Sequence, residues 1–339
     1  MVNRVDYATA GSLALAINHE KRTTTRMISW VNAASVKIPA SQYITITNSV
    51  MIVEDDITLT WADIDAGVEE IGKDYFVYAC LPLAGSTPIG KISLASTFPA
   101  GYDATNSRKI GGFHNNPDGN ILQYSVWDLD FKPVCSNPVG MVYCAGSNSW
   151  IDIYLPSDDG ASGVKSQYAA TILDTIDWMN FVDRGGLVGK RLLRDFEFQL
   201  AAAGSPEEVN IGAGAACRIV HAHLTGADPI TTGGHAATSA AAMKSTIGCE
   251  DLTGAMDQWL LDQSWRPDGT AVQFGWYDVA GGKGSLYITN NIGDVKLLAG
   301  GDWANATFAG SRSRYASNDR WNTSANIGAR FAAEHYSRS

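Results

Sequence analysis

His221, His223 and His235 are the first residues whose types suggest chemistry. A His-x-His pair on a strand turns both rings to one face, where a divalent metal can be gripped. No third ligand follows at convincing spacing, so ordinary histidines are the better reading. Glu250, Asp251 and Asp257 offer the carboxylate oxygens that calcium takes. Solvated loop acids are the commoner explanation of such residues. Cys80, Cys135, Cys144, Cys217 and Cys249 are odd in number, scattered and without a CxxC word, which implies neither a zinc knuckle nor a disulfide framework. Gly281-Gly282-Lys283-Gly284-Ser285 lacks the spacing of a phosphate-binding loop and reads as a turn. No Ser/His/Asp arrangement stands out. The expectation is a protein that is not an enzyme, with no catalytic residue, no metal and no cofactor.

Whatever work the chain does must then be done by its surface. A formal charge of −10 opposes the phosphate backbone and excludes a nucleic-acid partner. Near the N-terminus the only apolar stretch, Leu13 to Ile17, is too short for a signal segment or a membrane span, so a soluble chain is expected. With 339 residues, two domains are expected.

The elements that position this surface can be read from periodicity. From Ser35 to Leu94, within an expected domain over residues 35–132, apolar residues alternate at period two, as in Ile44/Ile46, Ile57/Leu59/Trp61 and Tyr75-Phe76-Val77-Tyr78, with Gly, Pro and Asp breaks between. This predicts an all-β, sandwich-like domain, preceded by a segment, residues 1–34, of unassigned structure. In residues 133–339 the apolar spacing of Ile172, Ile176 and Met179 predicts a helix over Ala169 to Val182. A second helix is predicted over Asp195 to Ala203, stopped by Gly204. The rest, rich in Gly, Ala, Thr and Asn with aromatic words such as Phe274-Gly275-Trp276-Tyr277, reads as long loops. The expected class is α+β.

Several words occur in a telling order: Arg108-Lys109-Ile110-Gly111-Gly112-Phe113-His114, Tyr124 to Pro133, Trp150 to Leu155, Trp178 to Phe181, Gly189-Lys190-Arg191-Leu192 and Glu197-Phe198-Gln199. Gly300-Gly301-Asp302-Trp303, Gly310-Ser311-Arg312 and Gly328-Ala329-Arg330 close the series without a gap. In order and spacing the chain resembles the major tropism determinants of bacteriophages, variable proteins of diversity-generating retroelements. The resemblance implies a C-type lectin fold of the formylglycine-generating-enzyme subclass for residues 133–339, with two helices, long irregular loops and a variable region at about 300–330. Calcium-dependent lectins carry Glu-Pro-Asn and Trp-Asn-Asp words, and neither occurs here.

Carried across that gapless block, the resemblance makes Asp302, Ala304, Asn305, Ala306, Phe308, Tyr315, Ser317, Asn318, Asn322, Ser324, Asn326 and Ile327 the diversified, ligand-binding positions. Adenine-directed mutagenesis of asparagine codons cannot yield Lys, Glu, Gln, Met or Trp, and none of these types stands at any of the twelve. Independently, no Lys, Glu, Gln or Met occurs from Leu297 to Ala333, and the Tyr, Ser, Asn and Phe content is that of antibody paratopes. Trp303, Gly310, Arg312, Trp321, Gly328 and Arg330 are the expected scaffold, the tryptophans as core and the arginines as braces for loop carbonyls. The implied function is receptor recognition by a virion tail or surface appendage, with a host cell-surface protein or other surface ligand as partner and an oligomer not assured. The alternatives are a relative of the formylglycine-generating oxidases, against which no cysteine follows Cys249, and a structural virion protein without a recognition role.

Overall fold

The computed structural model describes residues 26–82, 89–212, 217–220, 227–266, 275–278, 281–289 and 293–337. The chain divides into two compact units, Met1–Lys132 together with Tyr336–Ser339, and Pro133–His335.

In the first unit the period-two pattern forms strands. Along Gln42–Ile46 burial alternates residue by residue, and this strand makes a hairpin with Ser49–Val53 in which Gln42 pairs with Val53 and Ile46 with Ser49. Ser29–Asn32, Ser35–Ile38 and Ile57–Thr60 form a three-stranded antiparallel sheet. Lys73–Cys80 runs between Ile89–Ser93 and Ser107–Asn115. The inward residues, Val36, Ile38, Ile44, Ile46, Leu59, Tyr75, Val77 and Phe113 among them, form one core. Gly111 and Gly112 are required by close packing: a Cβ on Gly111 would lie 2.2 Å from the Trp127 carbonyl oxygen, and one on Gly112 2.5 Å from that of Tyr75.

The expected α+β class is corrected in the second unit. Two helices, α1 (Trp178–Leu187) and α2 (Asp195–Ala201), of ten and seven residues, are the only α-helices among the described residues; strands dominate, and the protein is a mostly β structure. Ala169–Val182 is not helical as a whole. Ala169 and Thr175 take positive φ, Thr171 pairs with Thr231, and the Leu173 N–H donates to the Pro156 carbonyl, so the chain is irregular until Asp177. There the Asp177 carboxylate accepts the Asn180 N–H at 2.8 Å and caps α1. Ile172 and Ile176 mimic a helical period only because both pack inward from irregular chain. α2 begins where Glu197 accepts the Arg194 N–H at 2.9 Å.

The sheet that matters for the surface has six strands in the order Gly275–Asp278, Ser285–Ile288, Gly310–Asn318, Gly293–Gly300, Asp257–Arg266, Ile327–Ala329. The second and third of these are parallel, as are the last two.

Candidate functional site

Register places one row of side chains across this sheet. Trp276 pairs with Tyr287, Tyr287 with Tyr315, Tyr315 with Leu298, Leu298 with Trp259, and Trp259 with Ala329. Directly paired residues point to the same face. At one end Leu298, Trp259 and Ala329 are fully buried in a cluster with Phe181, Leu192 and Phe331. At the other end the cover stops, and Tyr315, Tyr287 and Trp276 are only half-buried. Tyr287 and Tyr315 stack at 4.4 Å, and Trp276 tilts against Tyr287 at 5.0 Å and meets Tyr315 edge-on at 6.0 Å. Phe308 then lies flat on Trp276, with centroids 4.7 Å apart and planes 2° from parallel, and is itself 37% exposed. Burial raises the Tyr315 pKa while a hydrogen bond with Ser317 opposes the shift, which keeps a neutral phenol on this surface.

Phe308 reaches that place on a one-turn 3-10 helix, Ala306–Phe308, at the end of a stapled loop. Asp302 accepts the Ala304 N–H at 2.8 Å and the Asn326 side-chain amide, while its own N–H donates to Asn305 Oδ1 at 3.1 Å. Asn210 accepts the Ala306 N–H at 2.8 Å, which holds the left-handed backbone at Ala306. Glu207 accepts both the N–H and the hydroxyl of Ser311, at 2.7 and 2.6 Å.

The chain's relatives agree with this architecture. Residues 26–128 match the family described as the Mtd second domain. The tail fiber receptor-binding protein of Bordetella phage BPP-1 is 28% identical, over 82% of this chain and 74% of that protein. The solved Major Tropism Determinant U1 variant superposes with a TM-score of 0.72 at 25% identity, covering 93% of this chain and 84% of its own. The M1 variant, at 23% identity, shares the fold with a TM-score of 0.73 over 99% and 87%. The chain is a tropism-determinant-like protein with a C-type lectin fold.

In this tropism-determinant-like chain the twelve expected variable positions fall into two groups. Ala304, Asn305, Ala306, Phe308, Tyr315, Asn318, Asn322, Ser324 and Asn326 reach solvent at least in part. Asp302, Ser317 and Ile327 do not, at 5, 4 and 3% exposure, and their expected outward placement is corrected. Ser317 is covered beside Tyr315, with whose side chain it shares a hydrogen bond, Ile327 belongs to the core cluster with Trp259 and Leu298, and Asp302 organises the loop. Of the expected scaffold, Trp303 is buried with Leu155 and Met256, a Cβ on Gly328 would lie 3.3 Å from the Met256 sulfur, and Arg330 is fully buried. Two expectations are corrected. Trp321 is 66% exposed rather than core, because it follows a turn in which Asp319 accepts its N–H. Arg312 is exposed and its side chain braces no loop carbonyl among the described residues; its backbone N–H donates to the Lys283 carbonyl instead. Sequence reasoning missed Trp276 and Tyr287, although the Phe274 to Tyr277 word held the signal of adjacent aromatics in a polar stretch.

The candidate metal ligands do different work. Asp251 Oδ2 accepts the Gly233 N–H at 3.0 Å and faces His235 Nδ1 at 2.9 Å, and Glu250 accepts the Gly234 N–H at 2.6 Å. Burial acts to lower the His235 pKa, but the Asp251 and Glu250 carboxylates together outweigh it and the net shift is upward. His221 and His223 lie outside the described residues, among which no group of three ligating side chains comes together. Cys249 is buried and its thiol is pushed up to about 12 by burial, a poor start for thiolate chemistry; the Cys217 side chain lies outside the described residues.

Asp257 carries a pH signature. Burial, reinforced by the neighbouring Asp302 carboxylate, pushes it well above the ordinary carboxylate range, against the pull of the Gly301 N–H. The folded state therefore holds this proton more tightly than the unfolded chain does. The contribution of this group to stability is fully present below the ordinary carboxylate value and is lost as pH rises through the raised folded value. Asp257→Asn is expected to raise the Tm of the C-terminal unit by about 2–4 °C at pH 8 and leave it unchanged below pH 4, read by calorimetry. An equal gain at both pH values would remove Asp257 as the titrating group.

Proposed function

We propose that the chain is a receptor-recognition protein of a viral tail, and that its C-terminal unit binds a ligand on the host cell surface through the face built by Phe308, Tyr315 and the accessible positions around them. The observation that carries this reading is the aromatic row, which leaves the core at Leu298 and emerges half-covered at Phe308, Trp276 and Tyr287. Rigid rings among Ser and Asn side chains supply contact area at small entropic cost, as in antibody combining sites. The likeness to a tail fiber receptor-binding protein supports the same role. Among the described residues no helix is long and apolar enough to cross a membrane.

The reading includes retroelement diversification of residues 300–330. Its test is a reverse transcriptase beside the gene and a near-copy of these codons differing only at adenines; a flanking region lacking both would sink that part.

For binding, fluorescently labelled full-length chain is offered to a panel of bacterial strains and read by cytometry. A strain labelled by the parent should lose about 30-fold of its apparent affinity with Phe308→Ala, the size of a hot-spot side chain. The Tm should move little, because a 37% exposed ring on a single turn contributes little burial. Undiminished labelling would place recognition elsewhere.

A further inference from the structure

Phe308 and Tyr315 belong to the stretch read as variable, but the rings they stack on do not. Trp276 and Tyr287 come from the preceding hairpin, Gly275–Asp278 with Ser285–Ile288, about thirty residues upstream of the rings they stack on. We infer that Trp276 and Tyr287 are the fixed half of the recognition surface, positioning and specificity-setting residues that determine where side chains at 308 and 315 point; this rests on the recognition reading above.

Three observations carry the inference. The register Trp276 to Tyr287 to Tyr315 sets the three rings side by side on one face, so the hairpin extends the variable strand's surface outward by two strands. The 2° parallel contact of Phe308 with Trp276 gives a loop side chain a flat support that its own short turn, Ala306–Phe308, does not supply. Trp276 and Tyr287 also keep part of their area open to solvent and so take part in the face themselves. A side chain already held in its bound orientation loses less freedom on capture, and that gain is expressed as slower dissociation. Fixed rings flanking a variable patch would bias every member of the repertoire toward ligands offering an apolar or aromatic contact, whatever the polar positions become.

The full-length chain is displayed as two libraries randomised at Ala304, Asn305, Ala306, Asn318, Asn322 and Ser324, one with Trp276 and Tyr287 and one with Trp276→Ala and Tyr287→Ala. Both are selected against purified lysozyme as a defined probe. Binders are expected from the first library alone, and installing Trp276→Ala in them should weaken the Kd at least about 10-fold, mainly through dissociation, while Tm moves by less than about 2 °C. Trp276→Phe, which keeps a stacking ring, should restore affinity to within about threefold. Binders of equal affinity from both libraries, or a Trp276→Ala loss that tracks a fall in Tm and is not rescued by Trp276→Phe, overturn the inference. The first of these results leaves the recognition reading standing. No binder from either library overturns that reading and the inference with it.

Discussion

Arg330→Met is expected to destabilise the C-terminal unit by about 3–5 kcal/mol, the cost of removing one member of a buried charged network. The guanidinium is fully buried. It donates to Gln258 Oε1 at 2.9 Å, to the Asp152 and Ile153 carbonyls at 2.8 and 2.7 Å, and to the Glu250 carbonyl at 2.6 Å. One side chain thus ties the Ser149–Asp152 strand, the Glu250 loop and the Asp257–Arg266 strand to the end of the variable block. Methionine fills much of the volume and satisfies none of these acceptors, each of which costs about 1–3 kcal/mol when left unpaired. The adjacent Asp152 is itself buried and holds Lys190 at 2.6 Å, so that lysine is already engaged. The measurement is urea unfolding of the C-terminal transition beside Arg312→Met, an exposed arginine expected to change stability by less than about 0.5 kcal/mol. A loss below about 1 kcal/mol for Arg330→Met would mean the carbonyls find other donors.

The second large effect concerns backbone rather than charge. A Cβ on Gly310 would sit 2.2 Å from the Lys283 carbonyl oxygen, 2.4 Å from its carbon and 2.6 Å from Glu207 Oε2. None of these can retreat cheaply. The Lys283 carbonyl accepts the Arg312 N–H at 2.9 Å, and Glu207 is engaged by Ser311. Gly310→Ala is therefore expected to cost about 2–3 kcal/mol, in the range of an overpacked site. It should also reduce ligand capture more than its stability loss explains, because Phe308 hangs from the displaced turn. Parallel calorimetry and cell-labelling experiments check both parts. Full capture with normal stability would show that the turn absorbs a methyl group freely.

The family was legible because it is written in ordered words, and those words turn out to occupy close-packed backbone. Arg108 to His114 contains the two glycines pressed against strand carbonyls, and Gly328-Ala329-Arg330 contains the buried guanidinium. Such residues answer to geometry that few other types satisfy, so their identity carries information at a distance. The helix expected over Ala169 to Val182 does not form as a whole, for the converse reason. Two isoleucines four apart satisfy a helical period equally well when irregular chain buries both, and only long-range partners such as Thr231 and Pro156 decide between the two. Carrying positions across by order and spacing is blind to what distant segments lay over a residue; Ser317 and Ile327 are buried for that reason.

By itself the sequence determined the kind of protein: a chain of net negative charge, β-patterned toward its N-terminus, with a C-terminal stretch free of long charged and thioether side chains apart from arginine. Those are properties of composition and order, and they survive without coordinates. Tertiary structure alone decided that Trp276 and Tyr287 stand beside Tyr315 and Phe308, since pairing across a sheet joins residues far apart in the chain and no local pattern records a register. It also decided that Trp321 faces water while Trp303 does not, because burial depends on what other segments bring to the site.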